Sequence, residues 1–240
     1  MRRYLGWIAI AGFAAAVILL GGAWLLSGGG GPSDIARRFS EWNLPRCGAP
    51  SGRSASREIA WDGADRVGIA IPATLRYRPG TGDTVKIVGD ASLVSHVRVE
   101  DSEIKLDCRP DRMTTESLDI TMPGGRSFRS FSLASVTSLI LNDIDQSELH
   151  FNLAGSSTVV AAGRVESLHI NGAGMSDAKL GALAVRDAHL NLAGASTAEV
   201  AATDSLAINA VGSVTVVLRA EPKSIRTNIV GSGRIIHKSS

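Results

Sequence analysis

The sequence predicts an all-β fold: a single-stranded β-helix, or β-solenoid, with coils of about 19 residues, preceded by one N-terminal transmembrane helix. Three observations predict it. An uncharged run opens the chain, short apolar segments separated by turn residues follow from about residue 57, and an Asn-x-x-Gly unit recurs in the second half. The predicted organisation is a transmembrane anchor over residues 1–27, a tether over residues 28–56 and a β-solenoid domain over residues 57–240.

The predicted anchor is the segment Tyr4–Leu26, which carries no charged side chain. Its length is sufficient to cross a hydrocarbon core of about 30 Å. Arg2 and Arg3 precede it directly, so the positive-inside rule places the N-terminus in the cytoplasm. A long cleaved signal sequence is the alternative, and in both cases the rest of the chain is exported. We expect a single-pass protein of the cytoplasmic membrane whose C-terminal domain lies outside the cytoplasm, in the periplasm or another extracytoplasmic space.

The segments after the anchor change from linker composition to strand composition. Gly, Ser and Pro dominate residues 28–56, which is typical of a tether. From residue 57 onward, short apolar segments are separated by turn signals such as Pro79-Gly80, Gly82-Asp83 and Gly89-Asp90. No stretch after residue 57 has a convincing helical period, so an all-β domain is predicted.

Five asparagines recur at spacings of 18 to 20 residues, and a glycine follows each of them three residues later. They are Asn152, Asn171, Asn191, Asn209 and Asn228. A fixed period near 20 residues indicates a repeat architecture. Apolar and polar residues alternate around each asparagine, which predicts a strand with one buried face, and the glycine permits a bend at positive φ. Neighbouring coils are expected to stack about 4.8 Å apart.

The repeats also resemble a known family. They close on the segment Ile229-Val-Gly-Ser-Gly-Arg-Ile235, and the earlier segments Trp61-Asp-Gly-Ala-Asp65 and Val85-Lys-Ile-Val-Gly-Asp90 precede them. Together these segments resemble the bacterial head GIN domain, also described as an autotransporter-adhesin domain, over about residues 57–238. The resemblance implies an envelope protein with a β-solenoid fold and no established enzymatic activity, and it assigns no functional residue.

Composition and motifs exclude several functional classes. The formal net charge is +2, without the strong basic excess of a nucleic-acid-binding protein. The sequence contains no HExxH, GxSxG or phosphate-binding loop, so no catalytic residue, no cofactor-binding residue and no cofactor are predicted. Cys47 and Cys108 lack the spacing and number of a tetrahedral zinc site, but they are candidates for a disulfide in an oxidising compartment.

Three histidines occupy the same position in consecutive repeats. His150, His169 and His189 each lie two residues before a repeat asparagine, so stacking would place them in one outward column. Imidazoles at that spacing bind a transition metal or titrate together, whereas the alternative is a solvated polar ladder. We predict no metal site, because a linear array rarely closes a coordination sphere, and we keep the three histidines as the only metal-ligand candidates.

The function predicted from these features is that of a non-enzymatic cell-envelope protein. It would display its β-solenoid for adhesion, binding or scaffolding outside the cytoplasm. The alternative is a carbohydrate-active lyase or hydrolase on a β-helix, which would need a cleft lined with acidic residues. The predicted partners are the membrane, through the N-terminal helix, and an unidentified protein or glycan, but no nucleic acid. The oligomeric state stays open, a homo-oligomer included.

Overall fold

The computed structural model describes residues 44–110 and 117–238, and the fold is all-β apart from one short helix. The elements below belong to a compact unit that comprises Arg46–Ser240. In chain order they are β1 (Ser54–Ala60), β2 (Arg66–Ile69), β3 (Ala73–Tyr77), β4 (Thr84–Asp90), α1 (Ala91–Val94), β5 (Val97–Glu100), β6 (Glu103–Leu106), β7 (Leu118–Thr121), β8 (Ser130–Leu218) and β9 (Ser224–His237).

All nine strands belong to one sheet of mixed direction. Its order is β1-β4-β7-β3-β8-β2-β6-β5, and β9 pairs with β8 outside that path. The pairs β3/β7, β3/β8, β2/β8, β2/β6 and β8/β9 are parallel. The pairs β1/β4, β4/β7 and β5/β6 are antiparallel.

The long strand β8 bends at glycines, and its successive segments lie beside one another. The glycine of each repeat has a positive φ, for example 106° at Gly174, which non-glycine residues rarely adopt. A Cβ atom on Gly174 would lie 2.6 Å from the carbonyl oxygen of Gly155, so the two backbones are in close contact. β9 continues this arrangement, since Ser205 pairs with Ser224 and the register holds to Leu218 and His237.

The repeats bury the apolar face that the alternation predicts. Ile170, Leu190 and Ile208 are at most 1% exposed, whereas Asn191, next to the central leucine, faces solvent. This alternation confirms the predicted assignment of inward and outward faces. Buried side chains from the repeats and from β2–β7 form one continuous hydrophobic cluster. The burial of these apolar side chains is the main force that holds the sheet together.

An aromatic group fills the core where the long strand begins. Phe128 contacts Trp61 and Tyr77 in edge-to-face geometry, with ring centroids 5.4 Å and 5.1 Å away. Phe131 and Phe151 continue the group at a centroid distance of 6.1 Å. Edge-to-face pairs align the positive ring edge with a negative ring face, so this cluster adds specific packing to the area that it buries.

The predicted fold class is wrong as a description of residues 57–240. A single-stranded β-helix, or β-solenoid, would contain parallel neighbours alone, but three of the strand pairs are antiparallel. β5 and β6 form a hairpin whose two turn residues, Asp101 and Ser102, have φ of 53° and 69°. The repeat signal begins near residue 149, but the prediction extended the solenoid back to residue 57. In that earlier region the turn residues connect strands of a mixed sheet.

Within residues 44–110 and 117–238, no helix is long and apolar enough to cross a membrane. The predicted transmembrane helix, Tyr4–Leu26, lies outside these residues, as does most of the predicted tether. Three predictions that depended on this helix are therefore corrected: the transmembrane anchor, the membrane as a partner, and the single-pass location at the cytoplasmic membrane with a periplasmic domain. The predicted domain boundaries at residues 27 and 56 stay predictions.

Candidate functional site

Four of the five repeat asparagines form a hydrogen-bonded column on the solvent side of the sheet. The side-chain amides of Asn171, Asn191 and Asn209 each donate from Nδ2 to the Oδ1 of the asparagine before them, at 3.0 Å. Asn152 closes the column by donating to the hydroxyl of Ser132 at 3.3 Å. An amide carries both a donor and an acceptor, so identical side chains in register satisfy one another along the column.

The three predicted histidines form a second column, two residues before the asparagines. The ring centroids of His150 and His169 are 4.7 Å apart and those of His169 and His189 are 5.0 Å apart. Neighbouring rings are stacked and nearly parallel, with interplanar angles of 9° and 7°. This spacing follows the distance between paired strands, because each histidine occupies the same position of its repeat. The predicted outward column is therefore present.

A third column of polar side chains lies beside the histidines, two residues further toward the start of each repeat. It contains Glu148, Ser167, Asp187 and Ser205. Glu148 places Oε1 2.8 Å from Nε2 of His150, and the hydroxyl of Ser167 lies 3.1 Å from Nε2 of His169. Two neighbouring imidazoles therefore direct the same ring nitrogen toward this column.

The charges of these columns are set by close contacts. Partial burial, together with the nearby His150 and His189, lowers the pKa of His169 below its ordinary value. The pKa of Asp187 is also lowered, first by the hydrogen bond from Ser205 and then by the one from Arg186. The lowered pKa favours the neutral form of His169, and the lowered pKa of Asp187 favours its carboxylate.

We call the surface made by these columns the outward face. It consists of the column that begins at Glu148, the histidine column, the asparagine column and the neighbouring column Ala154, Ala173, Ala193, Val211 and Val230. Val211 and Val230 are 47% and 62% exposed, so the face combines polar ladders with an apolar border. Regularly spaced donors, acceptors and apolar groups on one surface suit the recognition of an extended partner.

Sequence reasoning identified the histidines but missed their polar neighbours. Glu148 and Ser167 lie two residues before His150 and His169, so the period of two along a strand puts them on the same face. That spacing was the signal that could have found them.

The two cysteines lie in a different part of the unit. Cys47 and Cys108 are joined by a disulfide with a Cα–Cα distance of 4.9 Å, and both are buried. The backbone N–H of Cys47 also donates to the carbonyl oxygen of Arg109 at 3.1 Å. The bond connects the segment before β1 to the segment after β6, across 61 residues of sequence.

Comparisons with known proteins point to one family. Residues 112–222 match the family described as "Putative auto-transporter adhesin, head GIN domain". A comparison with curated proteins found no match. Among solved structures, a "putative adhesin" from Bacteroides fragilis NCTC 9343 is similar at 15% identity and a TM-score of 0.57, over 79% of this chain and 99% of the other. At this identity the likeness shows the fold alone.

Two further solved structures are similar at lower scores. A "putative adhesin" from Parabacteroides merdae ATCC 43184 has 14% identity and a TM-score of 0.45, over 79% of this chain and 98% of the other. A "Putative lipid binding protein" from Parabacteroides distasonis ATCC 8503 has 17% identity and a TM-score of 0.44, with the same coverage.

Proposed function

Because residues 112–222 of this chain belong to the head GIN domain family, we propose that the protein is a non-enzymatic envelope protein. It presents its repeats outside the cytoplasm for adhesion, binding or scaffolding. The outward face is the binding surface, and the partner lies along its columns.

The observation that carries this proposal is the ladder of Asn152, Asn171, Asn191 and Asn209. Each amide is already oriented by its neighbour, so a partner meets donors and acceptors whose side-chain entropy is largely lost before binding. The remaining hydrogen-bonding capacity of each amide faces solvent, where a second chain or a sugar hydroxyl can reach it.

The disulfide supports a location outside the cytoplasm. Cys47 and Cys108 are paired in the structure, and such bonds persist in oxidising compartments but are rare in the reducing cytoplasm. The family description, which names an adhesin, agrees with that location.

Attachment of the full chain to bacterial envelope material tests the proposal. Beads coated with the purified full chain are incubated with isolated envelope fractions, and bound material is quantified. The test variant carries Asn171→Arg and Asn191→Arg, which place two bulky charges at the centre of the outward face. The control is Glu58→Arg, at an exposed position of β1.

We expect the wild type and Glu58→Arg to attach equally and the double variant to lose most attachment. Far-UV circular dichroism must show that all three proteins are folded. The proposal is contradicted if the double variant attaches as well as the wild type, or if the wild type does not attach at all. Release of new reducing ends from envelope polysaccharide by the wild type would instead support the carbohydrate-active alternative.

A further inference from the structure

The neighbourhood of Glu148 brings together three groups that are good ligands for a metal ion. One carboxylate oxygen of Glu148 and one ring nitrogen each of His150 and His169 all lie within 4.8 Å of one another. All three side chains are partly exposed, so an ion can reach them from solvent. All three lie on β8, Glu148 and His150 in one repeat and His169 in the next, and the paired strands hold the backbone from which they project.

The distances suit a tetrahedral ion after a small side-chain movement. Zinc binds histidine nitrogen at about 2.0–2.1 Å, so two ligand atoms of a tetrahedral site lie about 3.4 Å apart. Glu148 and His150 are at 2.8 Å and would open slightly, and the stacked rings at 4.7 Å would tilt toward each other at their Nε2 atoms.

The chemistry of the three ligands favours a borderline-soft divalent ion. Two imidazoles and one carboxylate are ligands that zinc and similar transition metals accept, whereas calcium and magnesium prefer oxygen ligands alone. The hydroxyl of Ser167, 3.1 Å from Nε2 of His169, is available to hydrogen-bond a water on the open side.

A second group of potential ligands does not form a comparable site. His96, Asp107 and Cys108 are also close together, but the sulfur of Cys108 is bound to Cys47 in the disulfide. The carboxylate of Asp107 is paired with Arg98 as well as with His96. A cation there would have to displace the guanidinium of Arg98.

We propose that Glu148, His150 and His169 bind one divalent transition-metal ion of the zinc type, with water at the fourth position. The ion replaces the direct contact between Glu148 and His150 and connects two neighbouring repeats on the outward face. The inference is independent of the proposed function, because ion binding can be measured without any partner.

Titration of the tag-free full chain with zinc chloride tests the site. Isothermal titration calorimetry at pH 7.5, after removal of metals with a chelator and dialysis, gives stoichiometry and affinity. The test variants are His169→Gln and Glu148→Gln, which keep approximate size and polarity. The control is His237→Gln, at an exposed histidine on β9. Cobalt(II) added to each protein reports tetrahedral coordination through its visible absorption.

We expect one zinc ion per wild-type chain and per His237→Gln chain. Each test variant should bind at least about 10-fold more weakly, since even the loss of an outer-shell partner costs 10–100-fold. Melting temperatures measured in chelator show whether each variant is folded. If His169→Gln is unfolded, the zinc affinity of Glu148→Gln alone tests the proposal. The proposal is overturned if the wild type shows no saturable binding, if both folded test variants retain wild-type affinity, or if His237→Gln alone abolishes binding.

Discussion

Substitution of Leu190 by alanine measures how strongly the stacked repeats are held together. The side chain is fully buried between Ile170 and Ile208 of the neighbouring repeats. Leu190→Ala removes three carbon atoms, worth about 2.4 kcal/mol at about 0.8 kcal/mol per buried methylene. The neighbouring isoleucines are fixed by backbone pairing and cannot close the cavity fully. The expected loss in free energy of unfolding is therefore about 3–5 kcal/mol, in the upper part of the range for buried leucine.

Asn191→Ala is the matched control, since Asn191 is adjacent in sequence and faces solvent. It donates to Asn171 and accepts from Asn209, both at 3.0 Å, but water can replace an exposed amide. Its expected cost is about 1 kcal/mol. Urea unfolding of both variants, followed by circular dichroism, gives the comparison. If Asn191→Ala destabilises the protein more than Leu190→Ala, the assignment of the two faces is inverted and the outward column of histidines is lost with it.

Three further predictions concern the backbone, the disulfide and acid stability. Gly174→Ala should destabilise the protein by about 2 kcal/mol or more, because Gly174 has a positive φ and a close backbone neighbour. The control Gly80→Ala should not, because there is open space around the Cβ position of residue 80. Thermal melts compare the two variants. Thiol labelling of the denatured, unreduced protein should find Cys47 and Cys108 unreactive, and two reactive thiols per chain would contradict the bond. Serine hydrogen bonds hold the pKa of Asp90 below its ordinary value, so its contribution is present above about pH 4 and is lost as pH falls. The difference in melting temperature between wild type and Asp90→Asn should therefore shrink on acidification, and a difference that grows would refute this.

The strand faces of the repeats could be predicted because their signal is local. Alternation around Asn171 and Asn191 and the glycine three residues later specify which side chains are buried and where the chain bends. Residues one repeat apart, 18–20 residues along the chain, then lie opposite one another in neighbouring strands. The β8/β9 pairing shows this from Ser205 and Ser224 onward. Columns of identical residues follow from that register alone.

The arrangement of β1–β7 could not be predicted in the same way, because its pairings join segments without a repeat. β3 pairs with β7 through Ala73 and Leu118, and β1 pairs with β4 in the antiparallel direction. Neither partner choice is encoded in spacing or alternation. The hairpin turn at Asp101 and Ser102 contains no glycine, so it lacked the strongest local signal of a turn.

The candidate site was predicted in part. The column of His150, His169 and His189 follows from the register, but its meaning depends on contacts between neighbouring columns. The 2.8 Å contact between Glu148 and His150 depends on side-chain rotamers, which sequence spacing does not specify. The sequence analysis predicted no metal site, and Glu148 was absent from its candidates; the proposed ligand set depends on this contact.

Chemical labelling of histidines tests most directly whether the outward face is the binding surface. The full chain is treated with diethyl pyrocarbonate, with and without the envelope fraction to which it attaches, and modified residues are quantified by mass spectrometry. His189 and His237 are both exposed, but only His189 lies in the histidine column. We expect attachment to protect His189 and to leave His237 labelled as in the free protein. Protection of His237 with unchanged labelling of His189 would contradict the account.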